Sequence, residues 1–344
     1  MALEVPAPRA DAGEATGAPA PGAEVADEQV GDASAYAEPA LRGDVATRTK
    51  ITREVSANVS LGRRLGEIWR SRELLIYLVR TEIKVKYKNS FLGLIWSMIA
   101  PAMTLAIFYM VFTFIAKNGI PHFVIFLFAG LLIWNLFQVG LATGTGVVVN
   151  NSGLVKKVSF PREILALAAI GSASVYFFFQ AVVMVIFLVA FQFSPAWTFL
   201  PLLPLALVAA VIFAAAMAVL LSAINVYLRD TQHLVEVVLT AWFWLCPIVY
   251  SFQATLAPKL ATHHLTWLYL LNPMTPLVLT FQRVIYGHTY VTNTVSHAPM
   301  HILPSWSFWT YAGLDLGVLV GSLALFFVAL VVFGRLEGNF AEEL

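Results

Sequence analysis

Charged residues divide the chain into long stretches of uncharged, mostly apolar residues. No Asp, Glu, Lys or Arg occurs within 89–116, 118–155 or 164–228. Because a membrane span needs about 20 apolar residues to cross roughly 30 Å of hydrocarbon, the first two stretches predict one span each and the third predicts two. Two further apolar segments lie nearer the C-terminus. The six predicted spans are 93–115, 123–149, 164–191, 202–225, 234–253 and 310–333.

The segment before the first predicted span has the periodicity of a surface helix. Apolar side chains recur every four residues from Leu75 to Tyr87, and Arg80, Lys84 and Lys88 form a basic stripe beside them. Such a helix lies in the membrane interface with its cations among anionic headgroups. Two other interpretations use the same cations: they orient the first span, or they dock a cytoplasmic partner.

The loop predicted between the second and third spans, 150–163, mixes basic and apolar residues. Val155, Val158 and Phe160 lie among its lysines. Apolar side chains of this size are unusual in an exposed loop, so they indicate a buried contact. Insertion into the membrane surface is the alternative.

Basic residues predict the orientation of the spans. With a cytoplasmic N-terminus, 18 of the 21 Lys and Arg residues lie inside, and only Lys117, Lys259 and Arg283 lie outside. Cytoplasmic loops carry the excess of basic residues, so both termini are predicted to be cytoplasmic in a multi-pass protein of the plasma (inner) membrane.

The long outer segment 254–309 contains an apolar stretch, 265–287, that Pro273 and Pro276 interrupt. Each half is too short to cross the bilayer, so the stretch predicts a re-entrant helical hairpin that enters from the outer face. The predicted fold is therefore an all-α membrane protein. It has six transmembrane helices, an N-terminal amphipathic interface helix and a re-entrant extracytoplasmic hairpin.

Composition agrees with a membrane protein and separates off the N-terminus. Only 12% of the residues are charged, against about 25% in soluble domains. The first 50 residues hold nine of the 20 acidic residues and are rich in Ala, Pro and Gly, a composition that cannot form a packed core. We predict a disordered tail over 1–58, an interface-helix region over 59–91 and a six-span membrane domain over 92–344.

Catalytic and nucleotide-binding motifs are missing from the sequence. It contains no G-x-x-x-x-G-K-[ST] phosphate loop, no H-E-x-x-H and no G-x-S-x-G. His297 and His301 are four residues apart, but Pro299 between them disfavours a shared helical face. We predict no metal site, no cofactor bound by this chain and no nucleic-acid partner.

Aromatic side chains, rather than charges, mark the first and fifth predicted spans. Sugar rings can stack their C–H faces on such side chains without a fixed charge, although packing and lipid-facing belts use aromatic residues too. The candidate substrate-pathway residues are Tyr109, Phe112, Trp242, Trp244 and Tyr250.

The order of motifs along 60–344 resembles the permease subunit of ATP-binding-cassette exporters of polysaccharides and polyol phosphates, which export O-antigens, teichoic acids, capsules and galactan. The motifs that carry this resemblance are Arg72-Glu73-Leu74, Lys84-x-Lys86-Tyr87-Lys88-x-Ser90, Leu92-Gly93, Trp96, Pro101, Val155-Lys156-Lys157-Val158, Phe160-Pro161-Arg162-Glu163, Asn225, Arg229-Asp230, Pro247-Ile248-x-Tyr250, Asn272-Pro273, Arg283 and Glu337-x-x-Phe340-Ala341-Glu342.

The resemblance implies a homodimer bound to two copies of a separate ABC ATPase subunit, which would hold the ATP and Mg, and a lipid-linked polysaccharide as substrate. It implies three sets of site residues. The coupling residues would be Val155, Lys156, Lys157, Val158, Phe160, Pro161 and Arg162. The interface helix would act through Arg72, Glu73, Arg80, Lys84, Lys86, Tyr87 and Lys88. The outer gate would contain Asn272, Pro273, Pro276 and Arg283.

Three other functions use a similar number of spans. A permease of the same fold could export a drug or a lipid, although the basic interface and coupling motifs favour the polysaccharide class. A secondary carrier usually keeps ionisable residues inside its spans, and this sequence nearly lacks them. A membrane-embedded transferase would need convergent His, Asp or Glu residues, which the sequence does not provide.

Overall fold

The computed structural model describes residues 61–87, 96–262 and 265–344; the predicted tail 1–58 and Lys88 lie outside the described residues. The helices are α1 (Leu61–Arg70), α2 (Arg72–Tyr87), α3 (Trp96–Met110), α4 (Phe123–Asn150), α5 (Ser152–Lys157), α6 (Glu163–Ala190), α7 (Leu202–Tyr227), α8 (Thr231–Leu245), α9 (Ala257–Thr262), α10 (Thr266–Leu270), α11 (Met274–Ile285), α12 (Phe308–Leu336) and α13 (Phe340–Glu343). An antiparallel pair, β1 (Tyr290–Thr292) and β2 (Pro299–His301), lies between α11 and α12.

Among the described residues, four helices are long and apolar enough to cross a membrane: α4, α6, α7 and α12. Three of them begin and end within a few residues of the predicted spans, because charged residues and prolines bound the uncharged stretches. The protein is therefore a multi-pass, mostly helical membrane protein. The count of six spans stays a prediction.

The first and fifth predicted spans correspond to shorter helices. The α3 helix has 15 residues and continues through a π-helical turn, Val111–Ile115. The α8 helix also has 15 residues and ends at Leu245, well before the predicted end at 253. Its length of about 22 Å is short of a full crossing. The chain turns here because Pro247 follows and the buried Gln282 side chain binds its carbonyl oxygen at 2.9 Å.

The α4 helix is the centre of the bundle and contacts α3, α6, α7, α8 and α11. Two glycines allow its backbone to approach its neighbours: a Cβ at Gly140 would lie 2.8 Å from Ile170, and one at Gly144 would lie 2.7 Å from Ala218. Gly140 and Gly144 therefore pack closely on α6 and α7. On α12, a Cβ at Gly313, Gly317 or Gly321 would have no described atom within 4 Å, so α12 packs on α7 through other positions.

The α11 helix is buried along almost its whole length against α4, α7 and α12. It begins after Pro273 and carries Pro276 in its first turn, where a proline is tolerated because the first N–H groups have no helical partner. A short turn separates it from α10. At 12 residues, or about 18 Å, α11 is too short to cross the bilayer. Its re-entrant insertion from the outer face stays a prediction.

The apolar stripe of α2 packs against α6. The side chain of Val79 lies over Gly171, where a Cβ would be 2.7 Å away, and the ammonium of Lys86 lies 4.6 Å from the Tyr176 ring. Leu75, Val79 and Ile83 of this stripe are therefore partly buried, whereas the basic residue Arg80 is exposed. The position of these cations among lipid headgroups stays a prediction.

Candidate functional site

The short helix α5 lies at one end of the bundle, where α4 ends and α6 begins. We call this end the basal end. Val155 is only 3% exposed and makes the buried contact that its apolar side chain predicted, whereas Val158 is 49% exposed. Lys156 and Lys157 are exposed beside it. The loop therefore exposes the ammonium groups of Lys156 and Lys157 and the side chain of Val158, while the buried Val155 anchors α5 to the bundle.

Two arginines and two glutamates form a partly buried cluster at the basal end, here called the basal cluster: Arg64, Arg162, Glu163 and Glu337. The Arg64 guanidinium, only 9% exposed, lies 2.6 Å from the Glu163 carboxylate and 3.6 Å from that of Glu337. Arg162 lies 3.8 Å from Glu337. Gly334 leaves room for the Arg64 guanidinium, which a Cβ there would displace. Opposite charges therefore link α1, the start of α6 and the end of α12.

Hydrogen bonds and ring contacts extend the basal cluster to α7 and α13. Arg162 donates a 2.8 Å hydrogen bond to the backbone oxygen of Glu337, and its guanidinium lies 5.8 Å from the Phe340 ring. Tyr227 at the end of α7 donates to the carbonyl of Leu336 at 2.7 Å. Arg162, which follows α5 and immediately precedes α6, therefore contacts the end of α12 as well.

The sequence did not reveal the role of Arg64. It is one of many basic residues before the first span, and Glu163 lies 99 positions away in the chain. In the sequence, Glu163 and Glu337 stood out only as residues of the motifs that carry the family resemblance. The available signal was physical: an acidic residue that opens an apolar helix needs a cation or water, and the N-terminal segment supplies the cation.

The predicted interface residues on α2 are exposed: Arg72, Glu73, Arg80, Lys84 and Lys86. The Arg72 guanidinium lies 5.8 Å from the Trp69 ring. Glu82, which the sequence did not single out, lies against α6. Burial raises the pKa of its carboxyl, and the Ser172 hydroxyl and the Lys86 ammonium partly oppose that rise. One side of α2 therefore holds α6, and the other remains a basic surface.

At the other end of α8, the structure brings predicted pathway and gate residues together. The Trp242 indole N–H donates to the side-chain oxygen of Asn272 at 2.8 Å, and the Asn272 amide lies 3.4 Å from the Cys246 sulfur. The Tyr250 hydroxyl lies 3.0 Å from that of Tyr269. We call these five residues the outer network. It contains no charged group and connects the end of α8 to the turn between α10 and α11.

Ring contacts occupy part of the predicted aromatic pathway. The ring of Trp242 packs at 5.2 Å from Phe137, and Phe112 lies 6.0 Å from Phe123. Trp244 is 51% exposed and Tyr109 is 37% exposed. Contact of these five aromatics with substrate stays a prediction, and the two exposed rings are the ones that other side chains leave open.

The remaining predicted gate residue, Arg283, lies in the last turn of α11. Its guanidinium lies 4.2 Å from the Phe199 ring and donates to the carbonyl of Gly287. Below it, the fully buried Asp315 on α12 has the Thr280 hydroxyl 2.9 Å and 3.1 Å from its two oxygens. In the sequence, Asp315 is a lone carboxylate in the otherwise uncharged predicted span 310–333.

In the described parts of the chain, no three His, Cys, Asp or Glu side chains are grouped closely enough to hold a metal ion.

Residues 73–286, which run from α2 to the end of α11, match the family described as ABC-2 type transporter. The O-antigen export system permease protein RfbA of Myxococcus xanthus is 31% identical over 226 residues, covering 66% of this chain and 85% of that protein. Two Klebsiella pneumoniae proteins with the same printed name are 25% and 24% identical over 272 residues, covering 79% of this chain and 95% of each relative.

Proposed function

The chain belongs to the ABC-2 type transporter family and is a permease of ABC polysaccharide exporters, and from that premise we propose that it moves a lipid-linked polysaccharide from the cytoplasmic to the outer side of the plasma membrane. The relatives are named for O-antigen export. The structural observation that carries the proposal is the exposed α5 helix, which the short segment 158–161 connects to Arg162 of the basal cluster, since this arrangement suits a permease driven by a separate motor.

We place the motor contact at α5. Two copies of an ABC ATPase would bind Lys156, Lys157 and Val158, and those subunits would hold ATP and Mg. Val155 and Phe160 keep the contact anchored, because the first is buried and the second is partly buried against the core. Pro161 and Arg162 then carry the motion into α6 and α12. The basic face of α2 would meet membrane lipids at the same side.

The short helices α3 and α8 complete six spans in a homodimer. Both contact α4 through one side, and the side chains on their other faces are exposed: Met103, Ile107, Met110, Val237 and Val238 are each 53–69% exposed. A second copy of the chain would cover these apolar faces and support helices that are marginal in length. With the basal end cytoplasmic, both termini lie inside, as the excess of basic residues requires.

We propose that α10 and α11 form a re-entrant hairpin that closes the outer side. The turn between them is held to α8 by the outer network, and α11 fills the space beside the first half of α4. Opening would require the hydrogen bond between Trp242 and Asn272 to break. Because both groups are neutral, breaking it costs far less than separating a buried ion pair.

The coupling assignment can be tested in proteoliposomes that contain the permease, its ATPase and the lipid-linked glycan. We expect the double substitution of Lys156 and Lys157 by Ala to abolish most ATP-driven glycan export and to lower the ATPase rate in the complex. Replacing the exposed Lys259 by Ala is the matched control, since it removes a surface cation elsewhere. Unchanged export and hydrolysis in the double variant would refute α5 as the motor contact.

A further inference from the structure

The two halves of α4 differ in what surrounds them. Every residue from 125 to 134 is buried, whereas exposed or partly exposed side chains recur on one face of the second half between Asn135 and Asn150. On this face Val139, Thr143 and Asn150 are exposed, and Asn135 is partly exposed. The described neighbours thus enclose the first half of α4 and leave much of this face of its second half open, except at Gly146, over which the polar Gln232 side chain of α8 lies.

Most of the open side chains on this face are polar. Asn135, Gln138, Thr143 and Asn150 form what we call the α4 polar track. At 100° per residue these four positions lie within about 140° of the helix circumference, with the exposed Val139 among them. From Phe123 to Asn135 the rise is about 18 Å, and from Asn135 to Asn150 it is about 22 Å. The track therefore runs from the basal end to the midpoint of α4.

The amides of the track have hydrogen-bonding capacity that the protein leaves unused. Asn135 donates to the Gln180 side-chain oxygen at 3.1 Å, and the Trp134 indole N–H donates to the Gln138 oxygen at 2.8 Å. In the described part of the chain, nothing accepts from the Gln138 amide or donates to the Asn135 oxygen. Polar groups facing hydrocarbon without partners are strongly disfavoured, so the track must face water or a polar ligand.

The first half of α4 is closed above the track. On the same face as the track, Phe128, Leu131 and Leu132 are only 6%, 2% and 2% exposed, and the Phe128 ring lies 5.8 Å from the Phe187 ring of α6. A path that begins at the basal end therefore stops near Asn135. This arrangement is that of a substrate path open at one end and sealed at the other.

We propose that the α4 polar track is the glycan-contacting wall of a cytoplasmic access path. The proposal rests on the proposed export function and names the residues that meet its substrate. The side chains are uncharged and offer both donors and acceptors, which matches the hydroxyl groups of a neutral sugar chain. Each contact is a single neutral hydrogen bond, so successive sugars can be released and bound again as the chain moves.

Thiol labelling tests whether water reaches the track. Val139→Cys and Thr143→Cys would be compared with Val182→Cys and Val185→Cys on α6, which are 58% and 57% exposed but lie on an apolar face. The native Cys246 is fully buried, so background labelling is low. A charged, water-soluble thiol reagent applied to inverted membrane vesicles should label the track at least about tenfold faster, because thiols in apolar surroundings rarely ionise. Equal, slow labelling at all four positions would overturn the proposal.

A second copy of the chain is the competing occupant of this face. Oxidation of the Val139→Cys and Thr143→Cys variants in membranes distinguishes the two. We expect monomers to persist, since a glycan path keeps the two copies apart. A high yield of disulfide-linked dimer would show that the partner covers the track and would overturn contact with the glycan.

Export measurements test contact with the glycan itself. We expect combined Gln138→Met and Thr143→Val substitutions to slow glycan export about three- to tenfold, because neutral hydrogen bonds are lost, while ATP hydrolysis by the complex persists. Thr145→Val is the matched control, since its hydroxyl is buried and binds the Leu141 carbonyl; its export should match the wild type. If the double variant instead exports glycan as fast as the wild type, the proposed contact between the track and the glycan is wrong. A wild-type complex that exports no glycan would refute the proposed function instead, and labelling would still report on water access.

Discussion

The basal cluster and the outer network join helices in two different parts of the protein by different chemistry. At the basal end, buried Arg64 and partly buried Arg162 meet two carboxylates at 2.6–3.8 Å. In the outer network, Trp242, Asn272 and their neighbours make only neutral hydrogen bonds. Separating one partner from a buried ion pair leaves an uncompensated charge, whereas a neutral hydrogen bond can be exchanged for one with water at small net cost.

This difference suits the two tasks of an exporter driven from one side. In the proposed function, the basal end would receive the motor and has to move as one body, and opposite charges that are costly to separate keep α1, α6 and α12 together. The proposed gate would rearrange in each cycle, so weak and exchangeable contacts are appropriate there. The predictions below test whether the contrast in chemistry is also a contrast in stability.

Replacing Arg64 by Met should have the largest effect. The substitution leaves the buried Glu163 carboxylate without its nearest cation, so we expect the free energy of unfolding to fall by about 3–5 kcal/mol. Thermal unfolding of the purified protein in detergent micelles measures the change. Arg63, which precedes it and is exposed, provides the control: Arg63→Met should lie within about 0.5 kcal/mol of the wild type.

A double variant separates the loss of the pair from the loss of packing. With Glu163→Leu added to Arg64→Met, the Glu337 carboxylate still faces the vacancy but keeps Arg162 at 3.8 Å. We therefore expect most of the stability to return, since apolar replacement of a whole ion pair is often nearly neutral. A single Arg64→Met variant as stable as Arg63→Met would show that the basal cluster is not held by charge, and the comparison with the outer network would fail.

The course of the long helices could be predicted because charges and prolines bound them. The limits of α4, α6 and α7 lie within two residues of the predicted spans. The end of α8 was missed, because the residues after Pro247 are as apolar as those before it. Hydropathy therefore continued the span to 253, although a proline and the bond from Gln282 turn the chain earlier.

The candidate site was predicted in parts rather than as an assembly. The sequence indicated a buried contact in the loop before α6, and Val155 makes it. Trp242 and Asn272 were named for different roles, 30 positions apart, and the fold joins them. The pairing of Arg64 with Glu163 had no counterpart in local spacing, because α1 reaches α6 only after four spans and the C-terminal helix have assembled around it.

A smaller effect is expected at the outer network. Trp242→Phe removes the indole N–H that donates to Asn272 but keeps a ring against Phe137. Because the Asn272 oxygen still accepts from the Met274 backbone N–H at 3.1 Å, we expect a loss of only about 1 kcal/mol. The neighbouring Trp244, half exposed, serves as the control, and Trp244→Phe should change little. A loss at Trp242 as large as that at Arg64 would remove the contrast between the two ends.

The smallest effect is expected at Glu82, which lies between these extremes. Burial against α6 raises the pKa of its carboxyl, while Ser172 and Lys86 oppose the rise. A carboxyl with a raised pKa binds its proton more tightly in the folded than in the unfolded protein. Its contribution to stability is therefore fully present below the ordinary pKa of 4.5 and is lost as the pH rises through the folded value.

Glu82→Gln tests that sign. The amide keeps a hydrogen-bonding partner for Ser172 but carries no charge at any pH, so we expect the variant to be slightly more stable than the wild type at pH 7 and equal to it near pH 4. Unfolding curves at both pH values measure the difference. If the variant is instead less stable at pH 7, the attraction of Lys86 outweighs burial, and α2 is held on α6 by charge in the same way as the basal cluster. Ion pairing would then hold α6 not only at Glu163, where Arg64 binds, but also further along the helix, near Ser172.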